Sequence, residues 1–78
     1  MVIVDYSLRV APTTYIHVSR AEYPDEDSML TDLEPRMSKI AARRSYPSDA
    51  HVHFRVRKTV YNAVTIHSYE YVVGRGVI

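Results

Sequence analysis

The 78-residue sequence contains no cysteine and no tryptophan, and it has only two glycines and one phenylalanine. Without cysteine the chain can form neither disulfides nor thiolate metal sites, which is typical of a reducing compartment. Gly74 and Gly76 lie near the C-terminus with no helix expected after them, so a glycine-rich phosphate loop is excluded. A Gly-x-Ser-x-Gly nucleophile elbow is also absent. These absences disfavour catalysis.

Long hydrophobic runs are absent as well. The first ten residues are interrupted by Asp5 and Arg9, so they match neither a signal peptide nor a membrane span. We therefore expect a cytoplasmic protein with no membrane partner. A chain of this length forms one domain, residues 1–78, and buries a smaller fraction of its surface than a larger domain does. Because it has no covalent cross-links, we expect it to gain burial as a homodimer.

The charges are nearly balanced in number but unevenly distributed. The formal net charge is +1, which gives no overall attraction to nucleic acid or membrane. Residues 21–35 contain six acids and no base, whereas residues 36–58 contain seven bases and a single acid, Asp49. Acids before a helix and bases in its last turn complement the helix dipole, so part of this pattern has a purely structural explanation.

Two periodicities predict the secondary structure. Apolar and polar residues alternate over residues 2–10 and 51–58, which indicates two strands. Residues 14–20 are rich in β-branched and aromatic residues and predict another strand, and residues 64–73 are expected to continue as a fourth. Apolar residues recur at helical spacing at Leu30, Leu33, Met37, Ile40 and Ala41, and Arg44 continues the same spacing. This pattern predicts a helix ending near Ser45. The start of the helix is open: Asp27 or Ser28 could cap it, or a capping box could begin at Thr31.

The order strand, strand, helix, strand, strand predicts an α+β fold. We expect a four-stranded, mainly antiparallel sheet with one helix packed on one face. The crossover through the helix predicts that the second and third strands run parallel. Because one helix cannot cover both faces, the other face is left to solvent, to a second copy or to a partner.

The most informative segment is the alternating run at residues 51–58. On a strand, its polar positions lie on one face, and we call them the basic ladder: His51, His53, Arg55 and Arg57. The intervening apolar residues are expected to pack under Leu33, Met37 and Ile40; they are Val52, Phe54 and Val56.

These features predict a small, non-catalytic regulatory protein that binds a protein partner with an acidic surface and needs no cofactor. One candidate surface combines the basic ladder with three bases expected on the exposed side of the helix: Arg36, Lys39 and Arg43. A second candidate is the acidic loop before the helix: Asp25, Glu26 and Asp27. The ladder also has a structural explanation, because Arg55 and Arg57 could pair with cross-strand acids such as Glu70.

Three other functions are compatible with the same residues. A nucleic-acid-binding module would use the arginines of residues 51–58 together with aromatic side chains. A metal-independent ribonuclease would draw on the ladder with Lys58 and Tyr61. A metal site would combine His51 and His53 with His17, His67 or a distant acid.

Residues 15–67 resemble the DinI family of small damage-inducible bacterial and phage proteins, which act on recombinase filaments. The similar segments are residues 15–18, 33–40, 46–47, 52–57 and 64–66. The resemblance implies a strand-helix-strand-strand core and a bacterial or phage origin. The family contacts its partner through an acidic C-terminal helix, whereas residues 69–73 here read Tyr-Glu-Tyr-Val-Val, so no residue role is transferred.

Overall fold

The structure, a computed structural model, describes residues 1–78 as one antiparallel sheet and one helix. The elements are β1 (Val2–Ala11), β2 (Thr14–Tyr23), α1 (Glu26–Arg43), β3 (His51–Val60), β4 (Ala63–Val72) and β5 (Gly76–Val77). The strand order is β2-β1-β3-β4-β5, and every neighbouring pair is antiparallel. Because β2 and β3 both run opposite to β1, they point in the same direction on either side of it.

The α+β class and the single helix are confirmed, but the predicted count of four strands is wrong. The fifth strand has only two residues and no alternation that the sequence could display. Gly74 turns the chain back at a φ of 85°, so that Tyr71 pairs with Val77 and Val72 with Gly76. The glycines thus build a tight hairpin at the end of the chain, which the sequence pattern did not predict.

The core lies between α1 and one face of the sheet. Val52, Phe54 and Val56 are buried in one cluster with Met37 and Ile40, as predicted, and Leu33 packs against this cluster. The expectation that Leu30 belongs to the apolar stripe is wrong, because its side chain is 57% exposed. Further buried residues of β1, β2, α1 and β4 complete the cluster: Val2, Val4, Tyr6, Leu8, Tyr23, Met29, Ala41 and Tyr71.

The helix begins earlier than any of the predicted caps. Asp25 is the N-cap, and its carboxylate accepts a hydrogen bond from the Ser28 backbone N–H at 2.8 Å. Pro35 consequently lies in the middle of the helix, where it removes one backbone donor. At the other end, Ser45 adopts a φ of 57°, and the Tyr46 N–H donates to the Ala41 carbonyl, which closes the last turn.

The C-terminal hairpin is held by the helix, and this contact gives a first prediction. The backbone N–H of Val77 donates to Oε1 of Glu34 at 3.1 Å, and a Cβ at Gly76 would collide with the same carboxylate. Gly76 also has a φ of 107°, which disfavours any side chain. We expect Gly76→Ala to lower the free energy of unfolding by about 1–2 kcal/mol, measured by urea denaturation.

Gly74→Ala is the matched control for this prediction. Gly74 also has a positive φ, 85°, but nothing lies within 4 Å of its added Cβ. The difference between the two variants therefore isolates the collision with Glu34 from the backbone strain that they share. Equal losses of stability would show that Glu34 moves aside at no cost.

Candidate functional site

The basic ladder lies on the sheet face opposite α1, which we call the open face. Val52, Phe54 and Val56 point to the helix, so the alternating positions of β3 point away from it. Arg55 lies between Ser7 of β1 and Ser68 of β4, and Arg57 lies between Asp5 and Ile66. The ladder therefore runs along the centre of the open face, as the alternation predicts.

A shallow depression of about 450 Å³ surrounds the second half of the ladder. It is lined by Asp5, Ser7, His17, Arg20, Arg55, Arg57 and Ile66. Asp5 is already engaged, because one carboxylate oxygen lies 2.9 Å from Nε2 of His17 and 3.0 Å from Nε of Arg20. Three arginines thus line a depression that contains a single carboxylate.

Arg55 and Arg57 have no acidic partner, since none of the ion pairs in the structure includes them. The guanidinium of Arg55 stacks on the ring of Tyr15, with its Cζ 3.9 Å from the ring centroid. Such stacking restricts the guanidinium while leaving its N–H donors free. The depression therefore presents two cations whose hydrogen-bonding capacity remains open.

His51, the first residue of the ladder, is occupied within the molecule. His51 Nδ1 forms a hydrogen-bonded pair with the carboxylate of Glu70. This hydrogen bond holds the pKa of Glu70 below its usual value, and the nearby charges of His53 and Arg9 act in the same direction. The expected cross-strand pairing of Glu70 is thus made with His51, and it leaves the two ladder arginines free.

Arg36 does not lie on the exposed side of the helix, and that expectation is wrong. Its Nε lies 2.8 Å from Oδ2 of Asp32, its NH1 group donates to the Ser19 hydroxyl at 3.2 Å, and its Cζ lies 5.9 Å from the ring centroid of Tyr6. It faces the sheet because Asp32, one turn earlier, and Ser19 of β2 both offer acceptors there.

Lys39 and Arg43 are exposed, but they lie on the helix and therefore on the opposite side of the sheet from the ladder. The predicted surface that combines the ladder with these two bases consequently does not exist as one continuous patch. The structure divides it into an open-face set on β3 and a helix set on α1.

The prediction that Asp25, Glu26 and Asp27 form a loop is wrong for the last two, because Glu26 and Asp27 lie in the first turn of α1. The segment is largely used to start the helix and to anchor it. Asp25 caps α1, and the Ser28 hydrogen bonds hold its pKa below the usual value. Glu26 binds Nζ of Lys58 at 3.0 Å. Lys58 thus points to the helix side, although it directly follows the ladder in sequence. Asp27 is the only one of the three acids whose carboxylate has neither an ion-pair partner nor a hydrogen bond.

The sequence did not reveal a polar network beneath the helix, formed by Tyr6, Tyr23, Asp32 and Arg36. The Tyr23 hydroxyl donates to Oδ2 of Asp32 at 2.5 Å, and the Tyr6 and Tyr23 hydroxyl oxygens are 3.4 Å apart. Burial raises the pKa of Tyr6 and of Tyr23, while the hydrogen bond from Tyr23 lowers the pKa of Asp32. Only one part of this network is visible in the sequence: Asp32 and Arg36 are four residues apart, a spacing at which helical side chains can pair.

The residues of the other candidate functions are separated by the fold. His67 pairs with Val56 and so lies on the helix side, away from His51 and His53. No group of three or more histidine, cysteine or acidic side chains is arranged to hold a metal ion. The ribonuclease set is divided as well, since His51 begins β3, Tyr61 follows its other end and Lys58 points to the helix.

The fold and the site define a small α+β protein with one helix-covered sheet face and one open, basic sheet face. No family model, curated protein or solved structure matches the chain. The resemblance to the DinI family therefore stays a prediction. The single helix of this protein, α1, does not combine the length and the apolar character needed to cross a membrane.

Proposed function

We propose that this protein is a non-catalytic, regulatory binding module that holds an acidic protein partner on the open face of its sheet. One observation carries the proposal: Arg55 and Arg57 are exposed, lie next to each other on one face and have no acidic partner. Four other Lys or Arg side chains of the chain do have one: Arg20, Arg36, Lys58 and Arg75.

The spacing of the two arginines supports carboxylate recognition. Residues two apart on a strand project their side chains to the same face about 7 Å apart. Alternate acidic side chains of an extended peptide have the same separation, so two carboxylates could meet the two guanidinium groups together. Guanidinium groups bind carboxylates through paired N–H donors, and Tyr15 already restricts one of the two.

The distribution of aromatic rings favours a protein partner over nucleic acid. Single strands are bound by stacking their bases on exposed aromatic rings. The open face offers Tyr15, but the guanidinium of Arg55 already covers this ring. Tyr6, Tyr23 and Tyr71 are buried on the helix side of the sheet. Tyr61 is 89% exposed, but it lies in the β3–β4 turn. Phosphate contacts therefore remain available to the arginines, whereas the open face around them has no uncovered tyrosine or phenylalanine ring for the bases.

The double variant Arg55→Ala/Arg57→Ala tests the proposal. The probe is a labelled oligoglutamate peptide, followed by fluorescence anisotropy at low salt. We expect the variant to bind it at least about tenfold more weakly, because two charge-assisted contacts are removed. Chemical shift changes in the wild-type protein are expected around Ser7, His17 and Ile66, which line the depression.

Lys39→Ala/Arg43→Ala is the matched control, since it removes the same charge from the helix side. This variant should retain the wild-type affinity for the peptide. Equal weakening by the two double variants would mean that net charge alone attracts the peptide, and it would overturn the proposed site.

A single-stranded oligonucleotide of matched charge separates the alternative functions. Tighter binding of the oligonucleotide, with an affinity that falls steeply as salt rises, would replace the protein partner with nucleic acid. Cleavage of RNA that is lost in His53→Ala would instead show a nuclease, because a binding module has no turnover to lose.

A further inference from the structure

One edge of the sheet is unprotected over most of its length. β5 pairs only with Tyr71 and Val72 of β4, so the rest of β4 has no neighbour on its outer side. Residues 63–68 are exposed on both faces, and Ile66 is 57% exposed and Val64 47% exposed. Exposed, apolar edge strands are the usual template for pairing with another chain.

The hydrogen bond from the Ile78 N–H to the Glu70 carbonyl fixes which backbone groups point outward. Along an antiparallel strand these groups alternate, so Val64, Ile66 and Ser68 direct their N–H and C=O groups to the free edge. The same three residues place their side chains on the open face, because they pair with Thr59, Arg57 and Arg55. The free edge therefore carries three unpaired donor and acceptor pairs.

The opposite edge of the sheet, formed by β2, is protected. It carries the charged residues Arg20 and Glu22, and its pairing with β1 is shifted by an irregularity beside Ser7. Charges and bulges are the common means by which natural sheets discourage edge pairing. The β4 edge has neither, since residues 59–69 contain no Asp, Glu, Lys, Arg or Pro.

We propose that the β4 edge binds the same edge of a second copy in an antiparallel arrangement centred on Ile66. The free segment begins at Ala63, after the β3–β4 turn, and is closed by the β5 hairpin after Tyr69, so Ile66 is its midpoint. Pairing about this midpoint places Ile66 opposite Ile66 of the second copy, and Val64 opposite Ser68. The turn of each copy then meets the β5 hairpin of the other, which fixes the register.

Charge favours a second copy as the occupant. Because the segment is uncharged, antiparallel self-pairing brings no like charges opposite each other, and the two Ile66 side chains gain an apolar contact. The twofold axis lies perpendicular to the sheet, so the result is one continuous sheet eight strands wide, with both helices on the same side. The two basic ladders then share one continuous open face.

Single cysteine variants test both the pairing and its register, because the natural chain has no cysteine. In hydrogen-bonded antiparallel pairs the opposed Cα atoms lie about 5.5 Å apart, within the range that a disulfide spans. Ile66→Cys should therefore form a covalent dimer rapidly under mild oxidation. Val64→Cys is the matched control, since its two copies would lie about 13 Å apart and should stay monomeric on the same gel.

Light scattering provides the second measurement. The wild-type protein should show about twice the 9.0 kDa chain mass as its concentration is raised to about 1 mM, which covers weak dimers. Ile66→Lys should abolish this increase. Leu30→Lys should not, although Leu30 is equally exposed, at 57%, on the helix.

Three outcomes would overturn the inference. The first is a wild-type mass of one chain over the whole concentration range. The second is a dimer that Ile66→Lys leaves intact, and the third is equal cross-linking by the two cysteine variants. The circular dichroism spectra of the lysine variants confirm that each retains its sheet before its mass is compared.

Discussion

Replacement of Phe54 by alanine is expected to lower the free energy of unfolding by about 3–5 kcal/mol. Phe54 is the only phenylalanine of the chain and has no exposed surface. It lies on β3, which is an inner strand of the sheet, and its ring meets that of Tyr71 edge to face with centroids 6.3 Å apart. The variant loses the burial of the ring and leaves a cavity beneath α1.

The size of this effect matters because the domain is small. A chain of this length has a total stability of about 4–12 kcal/mol, so a loss of about 3–5 kcal/mol removes a quarter of it or more. Urea denaturation followed by circular dichroism measures it directly. We expect a strongly reduced midpoint with a similar dependence on urea.

Arg55→Ala is the matched control, because it alters the next residue of the same strand on the other face. Its side chain is exposed and has no acidic partner, and the variant loses only the stacking on Tyr15, so we expect a loss of at most about 1 kcal/mol. A loss similar to that of Phe54→Ala would mean that the open face is part of a packed interface. That result would change the assignment of the two faces.

The second large effect is expected at Asp32. Its carboxylate accepts the Tyr23 hydroxyl and the Nε of Arg36, and its removal leaves both donors without their acceptor beneath the helix. We expect Asp32→Ala to lower the free energy of unfolding by about 2–3 kcal/mol at neutral pH. Asp27→Ala is the control, since Asp27 lies in the same helix without such partners.

The same network predicts how stability depends on pH. The pKa of Asp32 is lowered in the folded state, so its contribution is present above its unfolded value and is lost as the pH falls through the folded value. The pKa of Tyr23 is raised, so its contribution is present below its unfolded value and is lost as the pH rises through the folded value. The wild-type protein should therefore lose stability in acid below about pH 4 and in alkali above about pH 10.

Denaturation curves across this pH range distinguish the network from a general charge effect. Asp32→Ala should flatten the acid limb of the profile without removing it, because Glu70 and Asp25 also have lowered pKa values. Tyr23→Phe removes the donor to Asp32, so its effect should not add to that of Asp32→Ala. Fully additive losses would show that the two groups stabilise the fold separately.

The sequence was sufficient wherever a period could be read over several residues. The alternation around Phe54 assigned it to the core and Arg55 to the other face, since a strand allows only two side-chain directions. It was insufficient for Arg36, because the direction of a helical side chain near the edge of the apolar stripe depends on which acceptors the sheet offers. Asp32 and Ser19 supply these acceptors for Arg36. The sequence does not show that the two residues lie together on the sheet side of the helix.

By itself, then, the sequence determined the α+β class, the placement of Val52, Phe54 and Val56 in the core, and the basic ladder on one sheet face. These follow from local periodicity, which is a property of neighbouring residues. Only the tertiary structure decided that Asp5 is occupied while Arg55 and Arg57 are free, and that β5 leaves the β4 edge open around Ile66. Those features depend on contacts between residues that are distant in the chain, and pairing of that kind is set by the packing of the whole sheet.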